Sequence, residues 1–391
     1  MRSSYRHIVI GAGALGTATA YHLARRGVSD VVVLEQYPLG HTFGASEDHS
    51  RIIRHAYHSP VYTALTPAAY KAWEHIEDET GVDLVHRTGG LDLAIAGTPG
   101  EAELATYRQA LDARSIRYEM VDVAEIRARW PQWRIGEDTV GMYQADGGIL
   151  DIGRATAAQI ALARAHGVTF LPETPVLGIA SHTDHVTIQT SQGPFRADGA
   201  TLCVASWTPG FCSNLGLDWR LTLSQEQVSY FATPNLRDFA PERFPIWIWH
   251  GDSFFYGFPV YGEVGVKAAR DMRGHPVTQE TRSFVPDPQE AAIVAEFLDH
   301  RLPGVVGPEL TSKTCIYDMP PDRDFILDFV PGHPRLTVGV GAGHAAKFAA
   351  LIGEILADLA TIGTTQHPID AFRADRPALT DPAFEPTFRL G

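Results

Sequence analysis

The sequence predicts an α/β fold in which one α/β domain is interrupted by a second, mixed-sheet α+β domain. Three observations carry this. The chain opens as strand, glycine turn, helix and strand, HIVIGAGALGTATAYHLARRGVSDVVVLE. It closes on a second strand, glycine turn and helix, LTVGVGAGHAAKFAALIGEILADLA. Between them, Leu221 to Lys267 is dense in short apolar and aromatic runs such as WIWHGDSFFYGFPVYG, the composition of a sheet with a ligand-facing side.

In the opening unit, Gly11, Gly13 and Gly16 give G-x-G-x-x-G between an apolar strand and a helix with Ala and Leu on one face. The first glycine makes the turn, the second admits a pyrophosphate, and the third lets helix and strand pack, with the helix N-terminus facing the phosphates. Glu35 ends the second strand, where an acid accepts ribose hydroxyls. This is a Rossmann-like site for an ADP-containing cofactor, and alone it does not separate FAD from NAD.

The polar stretch HTFGASEDHSRIIRHAYH reads as a long functional loop. Within it Arg51 and Arg54 share a face if the piece is helical, and an arginine fork suits a carboxylate. A helix follows from about Tyr62 to Thr80. From Val82 to Gln144 short strands alternate with two helical segments, and then DIGRATAAQIALARAHG, VTFLPE and TLCVAS return to an α/β rhythm. After the aromatic sheet comes a charged helix near Pro286 to Arg301. The expected limits are 1–85, 145–218 and 320–391 for the cofactor domain, and 86–144 and 219–319 for the inserted one.

A chain of 391 residues exceeds the ~250 that one core usually serves, which fits two interwoven domains. The net charge of −14 repels nucleic acid and anionic membrane surfaces, so neither is an expected partner. Gly, Pro or a charge interrupts every apolar stretch before the ~20 residues of a spanning helix. The N-terminus lacks the pattern of a signal peptide, and Cys203, Cys212 and Cys315 are too scattered for a disulfide framework, so the expected address is the cytoplasm. The pairs His55 with His58 and His182 with His185 lack a third ligand at suitable spacing, and no metal is expected.

Only four of the 32 basic residues are lysines: Lys71, Lys267, Lys313 and Lys347. Where arginine serves so widely, each surviving lysine is a candidate. Lys267 ends a strand in GEVGVKAARD, and Lys347 sits in the first turns of the last helix, where a cation opposes the helix dipole unless an anion joins it. Cys315 lies in TSKTCIYDMPPDRDF, and by itself reads as a buried small hydrophobe.

Taken together and in this order, GAGALG, SRIIRHAY, FYGFP with VGVKAARD, SKTCIY and GAGHAAKF resemble the monomeric sarcosine oxidase and N-methyltryptophan oxidase family, FAD amine oxidases of the D-amino-acid oxidase superfamily. The resemblance runs nearly end to end. It implies a Rossmann-like FAD-binding domain interrupted by a mixed-sheet substrate domain, and FAD attached covalently to Cys315. It implies that Lys267 activates oxygen beside the flavin, that Arg54 and Lys347 clamp the substrate carboxylate, and that Tyr256 and Tyr317 line the substrate pocket. It places Arg51 by the flavin ring, with Ser50, Val176, Gly343, His344 and Lys347 among the cofactor contacts, and it favours a monomer.

Two departures stand out. Asp271 and Glu47 occupy positions where the family usually has histidine, and a carboxylate there would disfavour an anionic substrate or pair with an amine. The expected reaction is oxidation of the C–N bond of sarcosine or another N-alkyl amino acid to an imine, which hydrolyses to aldehyde and amino acid, with O2 reduced to H2O2. Alternatives are oxidation of a bulky N-methyltryptophan-type substrate, a NAD-dependent dehydrogenase, and a flavin-binding sensor or subunit without catalysis.

Overall fold

The computed structural model describes residues 3–57 and 59–390. Its first sheet is built around the strand Ser4–Ile10, which pairs in parallel with Val31–Leu34 on one side and with Gly193–Leu202 on the other. Val31–Leu34 pairs in turn with Thr169–Leu171, and Gly193–Leu202 with His333–Val340, both parallel. An antiparallel path through Val186–Thr190 and Val176–Ser181 extends the edge, and Ile326–Val330 pairs with His333–Val340.

The strands of this sheet are apolar on both faces, as a doubly covered parallel sheet requires. Val9, Val31 and Val33 point into one core cluster, with Leu23, Ala155 and Ile352 of the helices Ala14–Arg25, Ile152–Ala165 and Ala349–Ile362. Ile8, Ile10, Val32 and Leu34, one residue out of step, fill the opposite cluster with Val186 and Ile188. Gly353 lets the helix Ala349–Ile362 lie directly on Ala14–Arg25, since a Cβ there would sit 2.4 Å from that of Ala18.

Among the described residues the second sheet has nine strands and is mixed. Its long strand Thr222–Ala232 pairs antiparallel with Gly265–Arg270 and with Glu309–Met319, and Phe254–Phe258 and Ile246–His250 continue the order. Ile246–His250 is parallel to Gly90–Ile95, which joins Thr139–Gln144 and Glu119–Val121. Trp133, Trp247, Trp249 and Phe255 pack this sheet against the helix Pro288–Arg301.

The helix Pro60–Thr80 begins where the Ser59 hydroxyl accepts from the Val61 N–H at 3.3 Å, and ends at Gly81 in a left-handed conformation, φ 66°. Two local expectations need correction. The segment bearing Arg51 is a strand, Arg51–Ile53, paired antiparallel with Gly148–Leu150, so Arg51 and Arg54 share no helical face. Three residues are too few to show a period. Lys347 lies not in the helix Ala349–Ile362 but in a 3-10 turn before it, Ala346–Phe348. Among the described residues no helix is long and apolar enough to cross a membrane.

Candidate active site

A cavity of about 1570 Å³ runs from the opening glycine turn to the inner face of the second sheet. Every site residue nominated from the sequence lines it except Gly16. Gly16 sits beneath the turn, where a Cβ would fall 1.9 Å from the Gly11 carbonyl oxygen. Gly11 has φ 98°, and a Cβ on it would meet the Cys203 carbonyl at 2.3 Å. Gly13 caps the helix behind the turn with no side-chain bond of its own, and the Ala14 N–H donates to the Ser46 hydroxyl at 2.9 Å; such a helix N-terminus suits an anion.

Glu35 is 6% exposed and accepts from the Ala12 N–H at 2.8 Å and the Tyr37 N–H at 3.0 Å. Burial opposes its charge, but His41 and these two N–H groups outweigh burial and hold the carboxyl below the usual range. Val176 opens the strand Val176–Ser181 at the cavity wall. At the far side Gly343 has φ 79°, and a Cβ there would strike the Tyr317 ring at 2.5 Å. The His344 ring is 3.0 Å from the Arg323 carbonyl oxygen.

Among the cations that line the cavity, the four nominated from the sequence have different partners. Arg54 donates to Asp92 at 2.6 Å, and its guanidinium lies 5.2 Å from the Tyr107 ring. Burial works against that charge, and Asp92 more than offsets it, so the Arg54 pKa is raised. Lys347 donates to neutral acceptors, the Tyr57 hydroxyl at 2.8 Å and the His344 carbonyl at 3.2 Å. Burial, and then the nearby Arg54, lower its pKa to about 7. Arg51 turns onto the carbonyls of Glu47, Ser50 and Ala45 at 2.6, 3.0 and 3.1 Å. Lys267, 3% exposed, donates to Asp48 at 2.5 Å and to the Ser50 carbonyl at 2.9 Å, and burial lowers its pKa to about 8.

Cys315 faces the cavity from the strand Glu309–Met319, opposite Glu226, and burial pushes its thiol up to about 12. Tyr256 and Tyr317 flank it, both with phenol pKa raised by burial. Asp271 follows Gly265–Arg270 and accepts from the Tyr317 hydroxyl at 3.1 Å and from Arg323 at 3.1 Å. Arg323 thus answers the carboxylate that the sequence left without a partner. Glu47 is partly buried, and that burial raises its carboxyl pKa.

The model of the FAD dependent oxidoreductase family matches residues 6–359. The chain belongs to this family. Its relatives include a monomeric sarcosine oxidase of Streptomyces avermitilis, 32% identical over 95% of this chain and 97% of the relative. An N-methyl-L-tryptophan oxidase of Salmonella arizonae is 30% identical over 95% of this chain and 99% of that one. The open form of NikD, described as an unusual amino acid oxidase essential for nikkomycin biosynthesis, superposes with a TM-score of 0.84 at 27% identity, covering 95% of this chain and 98% of the other. An L-proline dehydrogenase from P. horikoshii, 18% identical, shares the fold with a TM-score of 0.84.

Family membership makes FAD rather than a nicotinamide the cofactor, and the residues present fit it. The glycine turn is closed to any side chain, Glu35 is held as a carboxylate, and the cavity continues past both to Cys315. Sequence reasoning missed Asp48, Asp92, Tyr57 and Arg323. Lys313 it noted but left without a role. Only its rarity as a lysine marks it, and nothing local marks the others. Of the histidine pairs, His55 bonds the Thr66 hydroxyl at 2.8 Å and His58 lies outside the described residues. The rings of His182 and His185 stack with centroids 4.3 Å apart. Among the described residues, no group of three or more His, Cys, Asp or Glu is placed to hold a metal.

Proposed function

We propose that this protein oxidises the C–N bond of a secondary amino acid, sarcosine or one with a larger N-substituent, and passes the electrons to oxygen. The observation that carries the reading is one continuous cavity lined both by the nucleotide turn, Gly11, Gly13 and Glu35, and by Arg54, Lys267 and Lys347. The printed activities of the relatives support the substrate class. When bound, FAD supplies the two-electron acceptor for the C–H bond beside the amine nitrogen, and returns those electrons to O2.

The protein's own groups bind, orient and polarise. Lys347, bonded only to neutral acceptors in the contacts above, offers its charge to the substrate carboxylate. Arg54 has one nitrogen committed to Asp92 and turns its remaining donors to the same anion. Tyr256 and Tyr317 wall the space for the amine substituent and keep water out, so that the amine loses its proton before reaction. Lys267 contributes a fixed cation that stabilises negative charge developing on oxygen without giving up a proton. Cys315 is the point of covalent attachment. The domain limits at residues 85, 144, 218 and 319 divide the cofactor-holding part from the part that carries Lys267 and Tyr256.

The test is a panel of N-methyl and larger N-alkyl amino acids assayed for hydrogen peroxide, with size exclusion to verify a monomer. Turnover with peroxide release supports the reading. Flavin reduction by none of the panel refutes it and leaves a flavin-binding protein without this activity.

A further inference from the structure

The loop before Arg51 holds a residue that breaks two local rules. Asp48 has φ 87°, a left-handed conformation that favours glycine, and its side chain is 4% exposed. A buried carboxylate in strained backbone persists only where its surroundings hold it. Here the surroundings are cationic. Lys267 donates to one oxygen at 2.5 Å, while Lys313 at 3.1 Å and the Tyr230 hydroxyl at 2.7 Å donate to the other. Arg51 lies 3.8 Å away. Three cations from three strands, Arg51–Ile53, Gly265–Arg270 and Glu309–Met319, therefore converge on one acid.

We propose that Asp48 is a positioning residue for the reaction of the reduced enzyme with oxygen: it holds the Lys267 ammonium charged and aimed along the cavity wall, with Lys313 and Arg51 as outer members of the same cluster. This rests on the reading of Lys267 as the oxygen-activating cation. Lys267 is packed among the rings of Phe258 and Tyr230, the carbonyl and hydroxyl of Ser50, Asp48 and Arg51 of the loop and strand above, and Cys315 and Lys313 of the neighbouring strand. Glu47, beside Asp48, faces Lys313 and Arg51. Of the groups acting on Lys267, burial and Arg51 favour the neutral amine, and Asp48 at 2.5 Å is the strongest influence opposing them.

Burial brings the Lys267 pKa down to about 8 with Asp48 in place, so oxygen reactivity is expected to be full below that pH and to decline above it. Without the carboxylate, the decline moves to lower pH, because a buried lysine beside two other cations sheds its proton earlier. The test uses the holoenzyme labelled with [13Cε]lysine, where four lysines give four assignable signals and Lys267→Met identifies one of them.

In Asp48→Asn the Lys267 signal is expected to titrate at clearly lower pH than in the unaltered protein. Stopped-flow reoxidation at pH 7 is then expected to fall about tenfold, more than reduction does, and to recover as pH is lowered. The double variant Asp48→Asn/Lys267→Met is expected to reoxidise no more slowly than Lys267→Met alone. Asp48→Gly, which suits φ 87° and lacks the carboxylate, is expected to behave as Asp48→Asn does. If Lys267→Met is slow but Asp48→Asn and Asp48→Gly keep the wild-type rate and titration, the proposal is overturned and the role of Lys267 stands. If Lys267→Met reoxidises at the wild-type rate, the role of Lys267 falls and the proposal with it.

Discussion

Replacing Asp92 with asparagine removes one negative charge from between two buried partners, Arg54 at 2.6 Å and His250 at 2.8 Å. Asparagine keeps the shape and one acceptor, so the change isolates the charge. At an effective dielectric of ~20, the Arg54–Asp92 attraction at this separation is about 6 kcal/mol before desolvation is counted. Removing one member of a buried pair typically costs about 3–5 kcal/mol, because the other charge stays buried without an answer. That is a large part of the ~5–15 kcal/mol by which a domain is stable. Urea unfolding, followed by tryptophan fluorescence, should therefore show a marked fall in midpoint for Asp92→Asn. A carboxylate inhibitor should restore part of the loss by supplying Arg54 with a new anion. In Asp92→Asn/Arg54→Met the loss should be less than the sum of the two single variants, since the orphaned charge is gone. A loss below about 1 kcal/mol for Asp92→Asn, with additive double-variant behaviour, would refute the claim that Asp92 compensates a buried cation.

Four further outcomes follow from the same geometry. Lys267→Met should slow reoxidation by oxygen far more than substrate reduction, measured separately by stopped flow; equal losses would remove its assignment. An anion raises the pKa of Lys347, which is about 7 in the free protein, so carboxylate inhibitors should bind with full affinity below pH 7 and weaken as pH rises, by up to about tenfold per pH unit. That dependence should vanish in Lys347→Met, as inhibitor titrations across pH would record. Gly11→Ala puts a methyl 2.3 Å from the Cys203 carbonyl and should yield protein that no longer retains flavin, seen as loss of yellow absorbance after gel filtration. Cys315→Ser should bind flavin that acid precipitation releases into the supernatant, whereas the unaltered protein should keep its colour in the pellet.

The opening unit was legible in the sequence because its information is local. A glycine pattern, a helix period and a terminal acid all fall within 35 residues, and each has its own steric or electrostatic reason. Lys267, Lys313 and Lys347 stand out through composition and Cys315 through a motif, and all four line the cavity. What was not legible is pairing across distance. Arg54 meets Asp92 from 38 positions away, Asp271 meets Arg323 from 52, and Lys267 meets Asp48 from 219. In a linear string each of these acids looks like ordinary surface polarity, and only the fold brings it into the interior. The same limit explains the misread of Arg51: a three-residue strand takes its identity from its partner Gly148–Leu150, not from any pattern of its own. Asp271 was noticed as a departure, yet the cation that absorbs its charge lies in PPDRDF, where nothing distinguishes it.

The order in which the central sheet is assembled has a consequence for how the protein is made. The strand Ser4–Ile10 is made well before its neighbour Gly193–Leu202, which comes nearly two hundred residues later, and the strand completing the parallel layer ends at Val340. The helix that closes over the first one does not begin until Ala349, and at Gly353 it rests on Ala18. The cofactor turn, although it is written in the first sixteen residues, thus has no finished floor beneath it during most of synthesis. Such long-range closure is slow and leaves apolar strand edges exposed in the meantime. A truncated chain ending before about residue 350 would carry the intact nucleotide motif without the helix that packs on it at Gly353, and is expected to retain no flavin.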